Sequence, residues 1–237
     1  MPPLSKIDET TLAKFACAYS GVAWGVFWLP LRALDEAGLV GAWATVVFYV
    51  IPLILVSPVV VWRWRRIVAG GLGLQVTGIC TALALVLYAD AVLYTEVVPA
   101  ILLFYLTPVW STLLARFFLG EPVTPMRWLT LALGMGGMYV MLAGDGGIPW
   151  PSNIGDWMGL AAGFMWAVCA TRMRLDKTNE APEFTVCCFF WGCVVALAIA
   201  LSPLEGPALA PSWSTIQAVL PWLIPVLIAV VMTGAFA

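Results

Sequence analysis

Between Val97 and Ala115 the chain runs nineteen residues without a charge, and Arg116 then closes the stretch. That length is close to the ~20 residues a helix needs to cross a hydrocarbon core of ~30 Å. Just before it, Asp90 and Glu96 lie near the place where a membrane-spanning hairpin would turn. An acidic side chain inside or beside such a segment is costly to insert and marks a functional candidate, the alternative being a carboxylate that reaches headgroup water. For Asp90 both readings stay open, whereas Glu96 is better explained by the headgroup.

The same pattern recurs along the chain. Apolar spans are predicted at about 13–33, 40–61, 72–94, 97–119, 127–144, 156–174, 184–202 and 218–237, separated by short turns such as DEAG at 35–38 and GEPVTP at 120–125. With 62% hydrophobic and 10% charged residues against about a quarter charged in soluble domains, the expected fold class is an all-α polytopic membrane protein. The net charge of −2 speaks against a nucleic-acid partner. Histidine is absent, and the six cysteines lie in apolar spans without metal-ligand spacing. No metal and no cofactor is expected. The N-terminus lacks the basic region, short apolar core and cleavage site of a signal peptide, so the first helix is expected to stay.

Ten of the eleven basic residues fall on one side of this topology: Lys6, Lys14, Arg63, Arg65, Arg66, Arg116, Arg127, Arg172, Arg174 and Lys177. That side, with the N-terminus, is expected to be cytoplasmic. Only Arg32 falls opposite, where Asp35, Glu36, Asp145, Asp156 and Glu205 populate the loops. An internal match at an offset of 142 sets Gly21 on Gly163, Trp24 on Trp166, Gly25 on Ala167, Arg32 on Arg174 and Phe48 on Phe190. Five spans separate the copies, so the second runs through the membrane upside down. Inverted repeats with a site at their interface are a signature of secondary transporters. The expected division is a five-helix unit over 1–144 and an incomplete inverted unit of three helices over 145–237. A chain cut short of ten helices is the expectation, with a genuine eight-helix protein as the alternative.

The hairpin LLFYLTPVWSTLLARFFLGEPVTPMRWLTLALGMGGMYVML resembles the EamA-type repeat of the drug/metabolite transporter superfamily, where a helix ending in Leu-Gly-Glu precedes a basic, Trp-containing helix start. The opening GVAWGVFWLPLRAL is similar to that family's first helix with its Trp-Gly pair. The resemblance implies a ten-helix, five-plus-five inverted-repeat fold in the bacterial inner membrane that moves small organic metabolites such as amino acids or amines.

Candidate site residues follow from helical spacing. Trp24, Trp28 and Arg32 are four apart and share a face, and Arg32 either holds a substrate carboxylate or snorkels to Asp35 or Glu36. Asp90 and Tyr94 are also four apart, with Tyr88 nearby. With the tryptophans they could cage an ammonium group or form an interfacial aromatic belt, and Asp90 is the leading proton-coupling candidate, ahead of Glu96. On the next span Glu96, Ala100, Leu103, Thr107 and Trp110 or Ser111 line a stripe, Pro108 interrupts the backbone ladder, and Tyr105 is expected to present its hydroxyl to a cavity completed by Trp166. Glu121 reads as a cap or an ion-pair partner for Arg116 or Arg127. The pairs Gly21/Gly25 and Gly159/Gly163, and Gly134, Gly136 and Gly137, suit close helix packing.

Three classes compete. A secondary transporter of a small-molecule substrate across the lipid bilayer fits best. A membrane enzyme fits less well, since no nucleophile–base pair or phosphate-cradling loop occurs. A structural or accessory subunit of a larger complex is the alternative, and a homodimer or a membrane partner would be its company.

Overall fold

The structure, a computed structural model, describes residues 28–142 and 150–202 without a break, with scattered positions between 11 and 25 and between 212 and 221. Among the described residues it holds eight helices: α1 (Trp28–Glu36), α2 (Ala42–Ala69), α3 (Gly71–Tyr94), α4 (Val97–Phe104), α5 (Thr107–Phe118), α6 (Pro125–Leu142), α7 (Ile154–Leu175) and α8 (Ala181–Ala200). Five segments are long and apolar enough to cross a membrane: α2, α3, α4 with α5, α7 and α8. The chain is a polytopic helical membrane protein. Most of the predicted eighth span lies outside the described residues.

Several boundaries differ from expectation for identifiable reasons. Helix α2 does not stop at 61 but continues through the Trp-Arg run to Ala69, because a charge ends an apolar stretch without ending a helix. Gly70 caps it with its N–H on the Arg66 and Val68 carbonyls. The chain then reverses within one residue, which Gly71 at φ 55 permits. The predicted span 97–119 is divided at Tyr105–Leu106, with Pro108 in the first turn of α5, in line with the interrupted ladder. Helix α6 forms at 125–142 but falls outside the five candidate spans and buries no residue.

Helix α3 is the centre of the bundle, packed by α7, α8, α2, α4 and α1. In a bilayer, close packing replaces the hydrophobic drive between helices, and small residues permit it. On α7 a ridge of glycines four apart does this: a Cβ at Gly155 would stand 2.8 Å from the Thr95 nitrogen, at Gly159 3.1 Å from the Ala100 oxygen, and at Gly163 2.6 Å from the Phe104 oxygen. The expected Gly159/Gly163 packing is therefore present, one glycine longer than its pair. By contrast Gly21, Gly25, Gly134, Gly136 and Gly137 have no neighbour within 4 Å of an added Cβ among the described residues, against the packing role expected of them.

Polar side chains gather at the two ends. At one, Arg63 pairs with Glu180 (2.7 Å) and Glu183 (2.8 Å), and Arg66 with Glu180 (2.6 Å). Glu180 and Glu183 also form the capping box that starts α8. At the same end Arg172 donates to Thr77 Oγ1 (3.1 Å) and the Gly73 carbonyl (3.2 Å). Glu121 does pair with Arg127 (3.8 Å), as expected, but its second partner is Arg174 rather than Arg116.

Two outcomes follow. Gly163→Val should lower the thermal midpoint in detergent, overpacking costing about 1–3 kcal/mol, while Gly136→Ala should leave it unchanged or slightly raised. Hydrogen bonds from Arg63 and then Arg66 hold the Glu180 carboxyl below its ordinary range. Its contribution is therefore present above the unfolded carboxylate value of about 4.3 and lost as pH falls through the lower folded value. The thermal midpoint should hold from neutral pH to about 5 and drop below about 4.3, less steeply in Glu180→Gln and less steeply in high salt.

Candidate functional site

Asp90 lies one turn from the C-terminal end of α3 and is fully buried. Its Oδ1 accepts a hydrogen bond of 2.5 Å from Thr45 Oγ1, itself fully buried on α2. One turn further along α2, Tyr49 is buried with its ring 5.9 Å from Phe48 and 6.3 Å from Phe189 of α8. Gly192 of α8 lies against that ring. A carboxyl group, a hydroxyl donor and a phenol thus meet where α2, α3 and α8 converge. Such a group can exchange a proton or hold an ammonium, since burial makes its charge depend on a partner.

Other candidates are distributed around this centre. Tyr88 is two residues from Asp90, about 200° around the helix, and it turns instead to Phe104 with ring centroids 4.6 Å apart. Tyr94, four from Asp90, holds its hydroxyl buried and without a hydrogen-bond partner, as do the indole nitrogens of Trp43 and Trp110, among the described residues. Trp28 is half-buried against the main core. Trp24 lies outside the described residues.

On α5, Thr107 Oγ1 lies 2.6 Å from the Phe104 carbonyl and 3.1 Å from that of Gly163, so it bridges the helix break to α7. Trp110 stacks edge-on to Phe164 of α7 at 5.7 Å. Trp166 is half-buried on the same helix. Tyr105 does not point inward among the described residues: it is 64% exposed at the break. Glu96 is exposed and precedes α4 without a side-chain capping bond, which suits a headgroup-facing carboxylate.

Arg32 does not pair with Asp35 or Glu36 among the described residues. It donates through Nε to the Val92 carbonyl (3.1 Å) and through an Nη to that of Thr95 (2.9 Å), closing the end of α3. Asp35 instead accepts from the Gly41 N–H at 2.7 Å. Thr95 continues the network by donating to Asp156 (2.9 Å), which also accepts from the Ser152 N–H and hydroxyl. Asn153 completes it, accepting from the Asp156 N–H as the cap of α7. Sequence reasoning placed Asp156 among loop charges and did not single out Thr45, Tyr49 or Thr95. The spacing of Thr45 and Tyr49, four apart in an apolar run, was the available signal.

Among the described residues no three His, Cys, Asp or Glu side chains come together to hold a metal. The model of the EamA-like transporter family matches residues 11–143, more than half of the chain. No curated protein and no solved structure matches.

The role of Arg32 as a helix terminator is testable. Hydrogen bonds from a charged donor contribute about 1.5–3 kcal/mol each, so Arg32→Gln should lower the thermal midpoint and speed proteolysis at the turn between α3 and α4. Glu36→Gln should leave both as they are.

Proposed function

The chain belongs to the EamA-like transporter family, and on that footing we propose that it is a secondary transporter of small organic metabolites, such as amino acids, amines or similar zwitterions. It works by alternating access across a bacterial inner membrane. The N-terminus is cytoplasmic in this reading, which is supported by the gathering of Arg63, Arg66, Arg127, Arg172 and Arg174 at one end of the bundle.

Asp90 carries the proposal. A fully buried carboxyl in a membrane-spanning helix is expensive and is a functional group by default. Held by Thr45 beside Tyr49, it takes a proton or a substrate ammonium in turn, and either event changes the charge inside the bundle. In this reading the aromatic side chains Trp28, Tyr88, Trp110 and Trp166 supply the apolar and cation–π part of a substrate site, with Tyr105 and Thr107 at the helix break. Arg32 orients the end of α3 behind Asp90.

A second reading, an accessory membrane subunit, is favoured by α6, which buries no residue and whose Gly134, Gly136 and Gly137 have no neighbour within 4 Å of an added Cβ among the described residues. Such a face suits a second copy or another subunit.

Flux in proteoliposomes separates the readings. With amino acids and amines as probes, the parent protein should show uptake driven by a pH gradient. Asp90→Asn should reduce that uptake roughly tenfold or more, the loss of a charged contact contributing about 1.5–3 kcal/mol, and Thr45→Val should reduce it less. Uptake indifferent to pH would sink proton coupling. No uptake with any probe, together with a copurifying membrane protein, would favour the accessory subunit.

A further inference from the structure

The last third of α2 is built unlike the rest of the bundle. Pro52 and Pro58 lie inside the helix, and each removes a backbone hydrogen bond where the helix can bend. Before Pro58, α2 is anchored by buried Thr45, Phe48 and Tyr49. Beyond it, Ile67 is the one buried residue, while Val61, Trp62 and Trp64 are exposed. Two things fasten this segment: the ion pairs of Arg63 and Arg66 with Glu180 and Glu183, and a small apolar contact made by Val59, Val60 and Ile67.

The opposing end of α8 is seated on fixed points. A Cβ at Gly78 of α3 would stand 2.6 Å from that of Cys187, and Gly192 is pressed on Tyr49. Beneath the ion pairs Ile67 joins Leu74, Val186 and Cys187 in a small apolar cluster separate from the main core. Parting α2 from α8 at this end therefore leaves the main core intact. It also removes Ile67 from the cluster that covers Cys187, which is 3% exposed with the segment in place and whose thiol accepts from Gln75 Nε2 of α3 at 3.7 Å.

We propose that residues 59–69 form a gate that swings at Pro58, latched shut by Arg63 and Arg66 on Glu180 and Glu183. Glu183 is the decisive partner. At 2% exposure it is nearly buried beside Arg63 when the latch is closed, and both groups regain water when it opens. The cost of drying the charges offsets their attraction, so closed and open arrangements stay close in free energy. The gate deepens the transport reading by opening the bundle at the end opposite Asp90, and it rests on that reading only for its use.

Cys187 is the native reporter. In a full-length chain with Cys17, Cys80, Cys169, Cys188 and Cys193 changed to Ala, Cys187 is labelled by a membrane-impermeant maleimide in vesicles opened on both faces, without substrate. Arg63→Gln and Glu183→Gln should each label about tenfold faster than the parent, since an uncompensated buried charge holds the latch open. The exchanged pair, Arg63→Glu with Glu183→Arg, should return most of the way to slow labelling. Unchanged labelling in both single variants overturns the latch. If the charge variants fail to insert, Pro58→Ala carries the test with every latch residue in place: slower labelling than the parent supports the hinge, and equal labelling overturns it. Labelling that responds without any substrate flux keeps the gate and removes transport; flux with unresponsive labelling does the reverse.

Discussion

Within hydrocarbon an arginine, a carboxylate or a helix-end carbonyl has no water to turn to, and each one left alone costs several kcal/mol. The arrangement of this bundle follows from that constraint. The carbonyls at the end of α3 take the Arg32 guanidinium, and the Asp156 carboxylate takes Thr95 and Ser152. At the opposite end Arg172 closes on the start of α3. Between the two ends the helices meet through small residues, and Asp90, one turn from the end of α3, is buried against Thr45 of α2. Polar groups at the ends fasten the elements.

The glycine ridge of α7 determines how α4 and α5 can lie. Because Gly155, Gly159 and Gly163 admit the backbone of the neighbouring span so closely, the break at Tyr105–Leu106 falls beside Gly163 and Thr107 spans the gap. A helix broken in lipid would expose bare carbonyls. Here the break is turned toward protein, in keeping with irregular backbone being tolerated where protein covers it.

Much of the fold was readable from hydropathy, because a bilayer demands runs of apolar residues of nearly fixed length. The runs at 72–94, 156–174 and 184–202 mark α3, α7 and α8 to within three residues at either end. What hydropathy misses is whatever helix geometry decides alone, such as the extension of α2 through charged Arg63–Arg66. Asp90 stood out as a carboxylate in an apolar run. Thr45 did not, since a threonine in such a run resembles any β-branched filler. Of the two readings of Arg32, a substrate carboxylate or its sequence neighbours Asp35 and Glu36, the second fails: its acceptors lie 60 and 63 residues away. Proximity along the chain carries no information about the carbonyls that a fold brings near. The same holds for Glu183, whose partner Arg63 is 120 residues distant.

Gly70 alone separates α2 from α3. A joint of one residue transmits displacement instead of absorbing it, so any swing of the last turns of α2 must pull on the first turn of α3. There Arg172 of α7 grips the Gly73 carbonyl and Thr77. The Trp-Arg segment, the first turns of α3 and the last turn of α7 are thus joined at that end through Gly70 and Arg172. A longer, slacker loop at Gly70 would let α2 move without informing the rest of the bundle.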